Sequence, residues 1–299
     1  MTQDRILGEK IDLYHAPHLL RFPRMKYKSV ITVHDLTFLL YPEHHTQANL
    51  TFQNEGVAGS LRFADQIIAD SQNTKKDLIR LLGIPEERIE VVYLGIEEEY
   101  SPLREKGEDL LHLEKYGISR LYLLFLGVIE PRKNLTRLVK AFHNLKVNKK
   151  IDHKLVIAGR KGWLFKEVFD AVKEFKLEKE IVFTGYVPDE EVPSIIRGAD
   201  LFVYPSLYQG FGLPPLEAMA CGIPVITSNV SSLPEVVGDA GILIDPLSIN
   251  EIQEAIPKLL QEEGLRKELV KKGLEKSKQL TRNRTALETL RIYQKVTGN

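Results

Sequence analysis

The chain has 299 residues, 43% of them hydrophobic and 27% charged, a composition ordinary for a soluble globular protein and a length that favours two domains over one. Lys plus Arg and Asp plus Glu both number 41, so no global positive field argues for nucleic acid. A single cysteine, Cys221, excludes an internal disulfide framework, and no apolar run approaches the roughly 18 residues of a membrane span, so a cytoplasmic protein without a signal peptide is expected.

In chain order, strands are expected at DLYHA (12–16), SVITVH (29–34), QIIAD (66–70) and IEVVYL (89–94). The next segment, 97–119, is polar, charged and turn-rich and reads as a linker. Beyond it, strands are expected at LYLLFLG (121–127), KLVIAG (154–159), EIVFTG (180–185), DLFVYP (200–205), IPVITS (223–228) and GILIDP (241–246). Several are continuously apolar, as parallel strands buried on both faces are. The intervening stretches carry helical periodicity; NLTRLVKAFHNL (134–145) puts Leu135, Leu138, Val139 and Phe142 on one face. This alternation predicts an α/β architecture with right-handed crossovers. The expected organisation is an abbreviated N-terminal Rossmann-like domain (1–104), a linker (105–119), a complete doubly wound domain (120–280) and a C-terminal helix (281–299) that packs back on the first domain.

Three stretches carry chemistry. In GFGLPPLEAMACG (210–222), Gly210 and Gly212 allow close backbone approach, and Pro214 or Pro215 suits the first turn of a helix whose free amides would hold a phosphate. The plain alternative is a strand–turn–helix connection. A dinucleotide fingerprint is disfavoured, because a proline stands where its third glycine belongs. In LGVIEPRKNL (126–135), Arg132 and Lys133 follow a strand's carboxyl end, where open α/β sheets bind ligands, and Asn134 is placed to cap the next helix. Two such cations would hold a diphosphate and stabilise it as a leaving group; the alternative is a basic surface turn. In TVHDLTFLLYPE (32–43), His34 ends an apolar strand, a place that suits catalysis as well as structure.

These stretches, with YHAPH, IADSQNTKKDL, VVYLGI, LVIAG, FTGYVPDEEVPSII, ADLFVYPSLYQGFGLPPLEAMACGIPVI and LPEVVGDAGILIDP, resemble the retaining GT-B glycosyltransferases of the large bacterial mannosyl- and glucosyltransferase family (family 4-like, group 1). The matches run in family order along nearly the whole chain. The resemblance implies two Rossmann-like domains facing a crevice and metal-independent transfer of a hexose, with retention, from a GDP- or UDP-linked sugar to a glycan or lipid-linked acceptor. It implies no cofactor and no metal ligand, and the sequence contains no D-x-D. Arg132 and Lys133 then match the cations on the diphosphate, and Glu217 the carboxylate on the ribose. Gly210, Phe211, Gly212 and Leu213 match the loop over the distal phosphate and sugar, and Gly127 belongs to the same donor site. Tyr186 and Val187 match the segment beside the base, and His34 the histidine facing the transferred sugar.

Two departures from the family pattern stand out. Gln209 replaces the first Glu of an E-x7-E pair, keeping the size and one acceptor oxygen but losing the charge and gaining a donor. That predicts weaker or altered sugar selection, not a dead site. The usual opening strand, its Gly-rich loop and the next strand–helix unit are also missing, roughly 60 residues at about 30 per βαβ step, so reduced activity or a covering oligomer is expected. The basic patch of Arg21, Arg24, Lys26 and Lys28 suits peripheral contact with an anionic membrane, or simply an exposed loop. His15–His18 and His44–His45 lack a placed third metal ligand. Two rivals stay open: a non-catalytic sugar-nucleotide-binding or scaffold protein, and a GT-B isomerase, which would want extra carboxylates and histidines around the sugar.

Overall fold

The computed structural model describes residues 11–19, 26–102 and 108–298. They form two compact units: residues up to Tyr93 together with the segment from Asn283 onward, and a continuous unit Leu94–Arg282. Arg21 and Arg24 of the basic patch lie outside the described residues.

In the first unit, β1 (Leu13–Ala16), β2 (Lys28–Val33), β3 (Gln66–Ala69) and β4 (Ile89–Val91) pair in parallel in that order. Because strand side chains alternate between faces, each strand divides its apolar residues between two layers. Ile31, Val33, Ile67 and Ala69 pack on one side with Leu36, Phe38, Leu61 and Leu78. Helix α1 (Gln47–Gly56) precedes β3, and α2 (Gln72–Leu82) follows it. The first turn of α2 is held by Ser71, whose hydroxyl accepts from the Thr74 amide at 3.0 Å, and the helix ends on left-handed Gly83.

On the other side, Val30, Ile68 and Val92 are covered by Ile292, Tyr293 and Val296 of the C-terminal helix, Arg282–Thr297. That helix is tied down by polar contacts as well. The Tyr293 hydroxyl lies 2.5 Å from His15 Nδ1, and Thr285 Oγ1 donates to the Tyr93 carbonyl at 2.8 Å. His15 Nε2 meets Thr32 Oγ1 at 2.9 Å, and burial holds its pKa below the ordinary value. Both its ring nitrogens are engaged, so His15 is a structural histidine.

Within the segment expected to be a linker, residues 108–115 form a helix. Helix α3 (Glu108–Lys115) buries Leu113, and Arg197 donates to both Asp109 carboxylate oxygens at 2.6 and 2.9 Å. His112 and Tyr116 bond Ser194 and Glu191. Its polar side chains thus have partners some eighty residues away, which local composition does not reveal.

The second unit carries β5 (Tyr122–Leu126), β6 (Lys154–Ala158), β7 (Ile181–Gly185), β8 (Leu201–Tyr204), β9 (Val225–Ser228) and β10 (Ile242–Ile244). All are parallel, in the spatial order β10-β9-β8-β5-β6-β7. Strands β5, β6 and β8 are almost wholly buried, which explains their continuous apolar runs. Numbered within the unit, the order is 3-2-1-4-5-6 read from the β7 edge, the dinucleotide-fold arrangement. It reverses direction between β5 and β8. The crossover helices α4 (Leu135–Val147), α5 (Lys166–Glu174), α6 (Val192–Arg197) and α7 (Leu213–Ala220), with α8 (Ile249–Gln261) after the last strand, cover the sheet, and α9 (Glu263–Ser277) packs on α7.

Candidate functional site

Open α/β sheets bind ligands beyond the carboxyl ends of the strands, where the order reverses. In the second unit that place lies beyond β5 and β8, and the loops following these two strands carry most of the residues singled out by sequence.

After β5, the chain leaves through Gly127 (φ 148°), whose amide donates to the Ala158 carbonyl at 2.8 Å. A short 3₁₀ turn, Pro131–Lys133, then delivers the two cations. Lys133 is buried, and its ammonium donates to the Tyr204 hydroxyl at 2.8 Å and to Gln209 Oε1 at 3.2 Å. Arg132 pairs with buried Glu130 at 2.7 Å, and its other terminal nitrogen donates to the Tyr208 carbonyl and, at 3.4 Å, to Gln209 Oε1. Arg132, Lys133 and Gln209 therefore converge on one oxygen. That contact also decides the amide's orientation, since turning Nε2 toward two cations would set donor against donor. Gln209 Nε2 is buried and has no partner.

Asn134 does not cap α4. Although it occupies the N-cap position with left-handed backbone, its side-chain amide donates to the Pro205 and Pro246 carbonyls at 2.9 and 2.7 Å. Its oxygen accepts from Arg137 at 2.9 Å. Two proline-flanked loops require a donor here, and the side chain supplies it.

After β8, the loop is held from behind. Ser232 Oγ donates to the Gln209 main-chain carbonyl at 2.9 Å and lies 2.5 Å from the Phe211 carbonyl; the Gln209 backbone N–H donates to Ser231 Oγ at 3.0 Å. Gly210 and Phe211 are buried in this loop. Gly212, at φ 119°, opens α7, whose first residues are Leu213, Pro214 and Pro215. One turn on, Glu217 and Leu213 line a cleft of about 520 Å³ with Ile96, Tyr100, Asp189 and Arg282. Burial pushes the Glu217 carboxyl up to about 7; Asp189 and Glu97 add to the shift, while a hydrogen bond from Tyr100 and the Arg282 charge oppose it. Tyr186 is exposed and Val187 buried at the end of β7, just before Asp189. A second hollow, about 580 Å³ and bordered by Asp200, Pro224 and Lys271, lies at the amino edge of the sheet, remote from these loops in the fold.

His34 belongs to the first unit. The parallel register pairs Val33 with Ala69, so the next two residues, His34 and Asp70, emerge side by side at the carboxyl edge. His34 Nδ1 lies 2.6 Å from Asp70 Oδ2. Half of the imidazole is exposed, whereas Asp70 is buried and its Oδ1 has no partner. The hydrogen bond to Asp70 raises the His34 pKa above the ordinary value, against the effect of burial; the charges of Asp70 and Asp35 and the Pro17 carbonyl act in the same direction as the bond. Burial pushes the Asp70 carboxyl up, and His34 opposes that. Asp70 is the neighbour that sequence reading missed. The signal was present: two adjacent parallel strands, SVITVH and QIIAD, both end on an ionisable residue.

Of the basic patch, Lys26 is exposed, and Lys28 forms an exposed ion pair with Asp65 at 3.0 Å. Among the described residues no helix is long and apolar enough to cross a membrane.

The comparisons with known proteins agree with this geometry. Residues 113–276 match the model of the glycosyl transferases group 1, and residues 2–100 that of glycosyltransferase family 4. O-antigen chain mannosyltransferase B of Escherichia coli is 36% identical over 94% of this chain and 74% of its own length. The serotype-specific mannosyltransferase WbdA of the same species is 30% identical over 87% of this chain but only 32% of its own. In fold, the chain is similar to WaaG, a glycosyltransferase involved in lipopolysaccharide biosynthesis (TM-score 0.79, 16% identity, 99% of this chain and 81% of that one). It is also similar to Anabaena HepE in complex with UDP and glucose (TM-score 0.76, 21% identity, 92% and 72%). The matched domains, the 36% identity over nearly the whole chain and the two Rossmann-like sheets together place this protein in the group 1, family 4 glycosyltransferases, with the GT-B fold.

Proposed function

We propose that this glycosyltransferase transfers a hexose, mannose by its similarity to the E. coli relative, from a nucleoside-diphosphate sugar to a glycan acceptor. The observation that carries the reading is the convergence of Arg132 and Lys133 on neutral Gln209 at the reversal point of a dinucleotide-fold sheet. Gln209 adds no negative charge of its own beside the two cations, and a diphosphate is the anion that such a place in the fold accommodates.

In this reading Arg132 and Lys133 hold the diphosphate and stabilise it as it departs. The loop from Gly210 to Leu213 covers the distal phosphate and sugar, with Gln209 beside it. Glu217 accepts from the ribose hydroxyls, and the segment at Tyr186–Val187 borders the base. His34 acts at the transferred sugar. The family resemblance supports displacement on one face with retention, without a metal. The departing phosphate then takes the acceptor's proton, so the protein needs no nucleophile of its own.

The test is thermal unfolding with GDP, UDP, ADP and their hexose conjugates, followed by transfer to a mannose-terminated glycan. Ligand at one hundred times its dissociation constant stabilises by about 2.7 kcal/mol, a shift of several degrees. Stabilisation by a single nucleotide family, with anomer-retained transfer in the presence of a chelator, is expected. No shift with any of them would favour a scaffold role for the fold.

A further inference from the structure

We propose that Asp70 is the positioning residue of His34: its buried carboxylate accepts a hydrogen bond from His34 Nδ1–H and fixes the ring, so that Nε2 is the second donor when the ring is charged. This rests on the hexosyltransferase reading for its catalytic consequence. The pairing itself follows from geometry alone.

Three observations carry it. The contact is 2.6 Å, short for a nitrogen–oxygen pair and typical of a charge-assisted bond. The two partners are unequally exposed, with 52% of the His34 side chain accessible against 2% of Asp70. The carboxylate is therefore anchored inside while the ring reaches out. Finally, Asp70 Oδ1 is buried without a partner, so the carboxylate lacks the full set of bonds a purely structural buried acid usually has. A group retained at that cost is more readily explained by what it does to His34 than by what it adds to the core.

The surroundings agree in sign. The charged and acceptor groups facing the ring are Asp70 just after β3, Asp35 next in sequence and the Pro17 carbonyl after β1, and each favours the doubly protonated form. Asp35 is itself held in place, its Oδ1 accepting from the Thr37 amide at 3.0 Å and hydroxyl at 2.6 Å. Thr74 Oγ1 fixes the backbone by donating to the His34 carbonyl at 3.2 Å. The Pro17 carbonyl accepts a second hydrogen bond from the ring. The arrangement follows the logic by which a buried carboxylate orients a histidine and stabilises its charged form.

The experiment is a pH titration of ¹⁵N-histidine-labelled protein by NMR, with His34 assigned by the signal lost in His34→Gln. In the wild type, the His34 midpoint is expected above the ordinary value of about 6.5, and the neutral ring should carry its proton on Nδ1. In Asp70→Asn the midpoint should fall by about one pH unit, and the Nδ1–H preference should disappear, because the amide can donate to Nδ1. Transfer by Asp70→Asn at saturating donor should show kcat reduced about tenfold or more at pH 8. The loss should be smaller at pH 6, and the donor KM changed less than about twofold, because the ring is protonated again at low pH. Circular dichroism checks that the variant folds, and the assigned wild-type titration decides the pairing without Asp70→Asn. A wild-type midpoint at or below the ordinary value, an Nε2–H neutral tautomer, or an Asp70→Asn kcat profile superimposable on the wild type would each overturn the proposal. An intact NMR signature in a protein that transfers no sugar would uphold the pairing and overturn the hexosyltransferase reading.

Discussion

Glu217 and Gln209 lie eight residues apart and face opposite electrostatic problems. Glu217 is a carboxyl held up to about 7 by burial among other acids. An acid whose folded pKa is raised contributes stability that is fully present below its unfolded value, near 4.5, and lost as pH rises through about 7. Melting temperature should therefore fall between about pH 5 and pH 8, and Glu217→Gln should flatten that fall. A ribose diol donating to the carboxylate would favour its charged form. Nucleotide binding near pH 7 should then release a proton, detectable as calorimetric heats that differ between buffers of different ionisation enthalpy, and affinity should rise from pH 6 to pH 8. Heats that do not vary with buffer would remove Glu217 from the ligand. Gln209 spends its oxygen on Arg132 and Lys133 and leaves only Nε2 for a ligand, so the group it meets must be an acceptor. Gln209→Glu replaces that donor by an anion beside Arg132 and Lys133. Sugar-nucleotide affinity should fall by roughly tenfold, the difference between a charge-assisted and a neutral bond. Equal or tighter binding by the variant would show that the amide does not face the ligand. The placement of both residues on the loop and helix after β8 was legible from their types and spacing. The way Gln209 divides its two ends was not, because it depends on a lysine and an arginine some seventy-seven residues away.

At the scale of elements, the strand order is set by buried apolar runs, and the loops by a few backbone positions that tolerate nothing larger. Gly159 shows this most clearly. It ends β6 at φ 142°, and an added Cβ would stand 2.0 Å from the Gly127 carbonyl oxygen, a backbone atom with nowhere to go. Gly159→Ala should therefore displace the start of the loop that carries Arg132 and Lys133. Strain of this kind costs about 1–3 kcal/mol, or several degrees of melting temperature, and nucleotide-induced stabilisation should shrink with it. An unchanged melt with unchanged ligand response would mean that the two loops move independently. The alternation of apolar strands and amphipathic helices made every strand of both sheets readable to within a few residues. Asn134 and α3 were misread for a common reason. Each uses polar side chains against partners distant in sequence, the Pro205 and Pro246 carbonyls for one and Glu191, Ser194 and Arg197 for the other. Composition alone assigns such side chains to solvent.

At the scale of the whole molecule, the chain crosses from one unit to the other twice, and the two units are unequal in what they require. The second is continuous, Leu94–Arg282, with its own six-stranded sheet and core. The first is built from both ends of the chain. One face of its sheet, with Val30, Ile68 and Val92, packs against Ile292, Tyr293 and Val296 of the C-terminal helix. A sheet with one apolar layer uncovered cannot bury enough surface to offset its ordering entropy. A fragment 94–282 should therefore melt cooperatively alone and keep its nucleotide response, since Arg132, Lys133, Gln209 and Glu217 all lie within it. A fragment ending at residue 93 should stay unfolded until a peptide of residues 283–299 is added. Ile292→Asp in the intact chain tests the same dependence: it places a charge against Val30 and Ile68 and should lower the first unit's protection from hydrogen exchange while leaving the second unit's unchanged. Equal loss of protection in both units would show that they fold as one cooperative body, and the independence of the donor-binding unit would have to be given up.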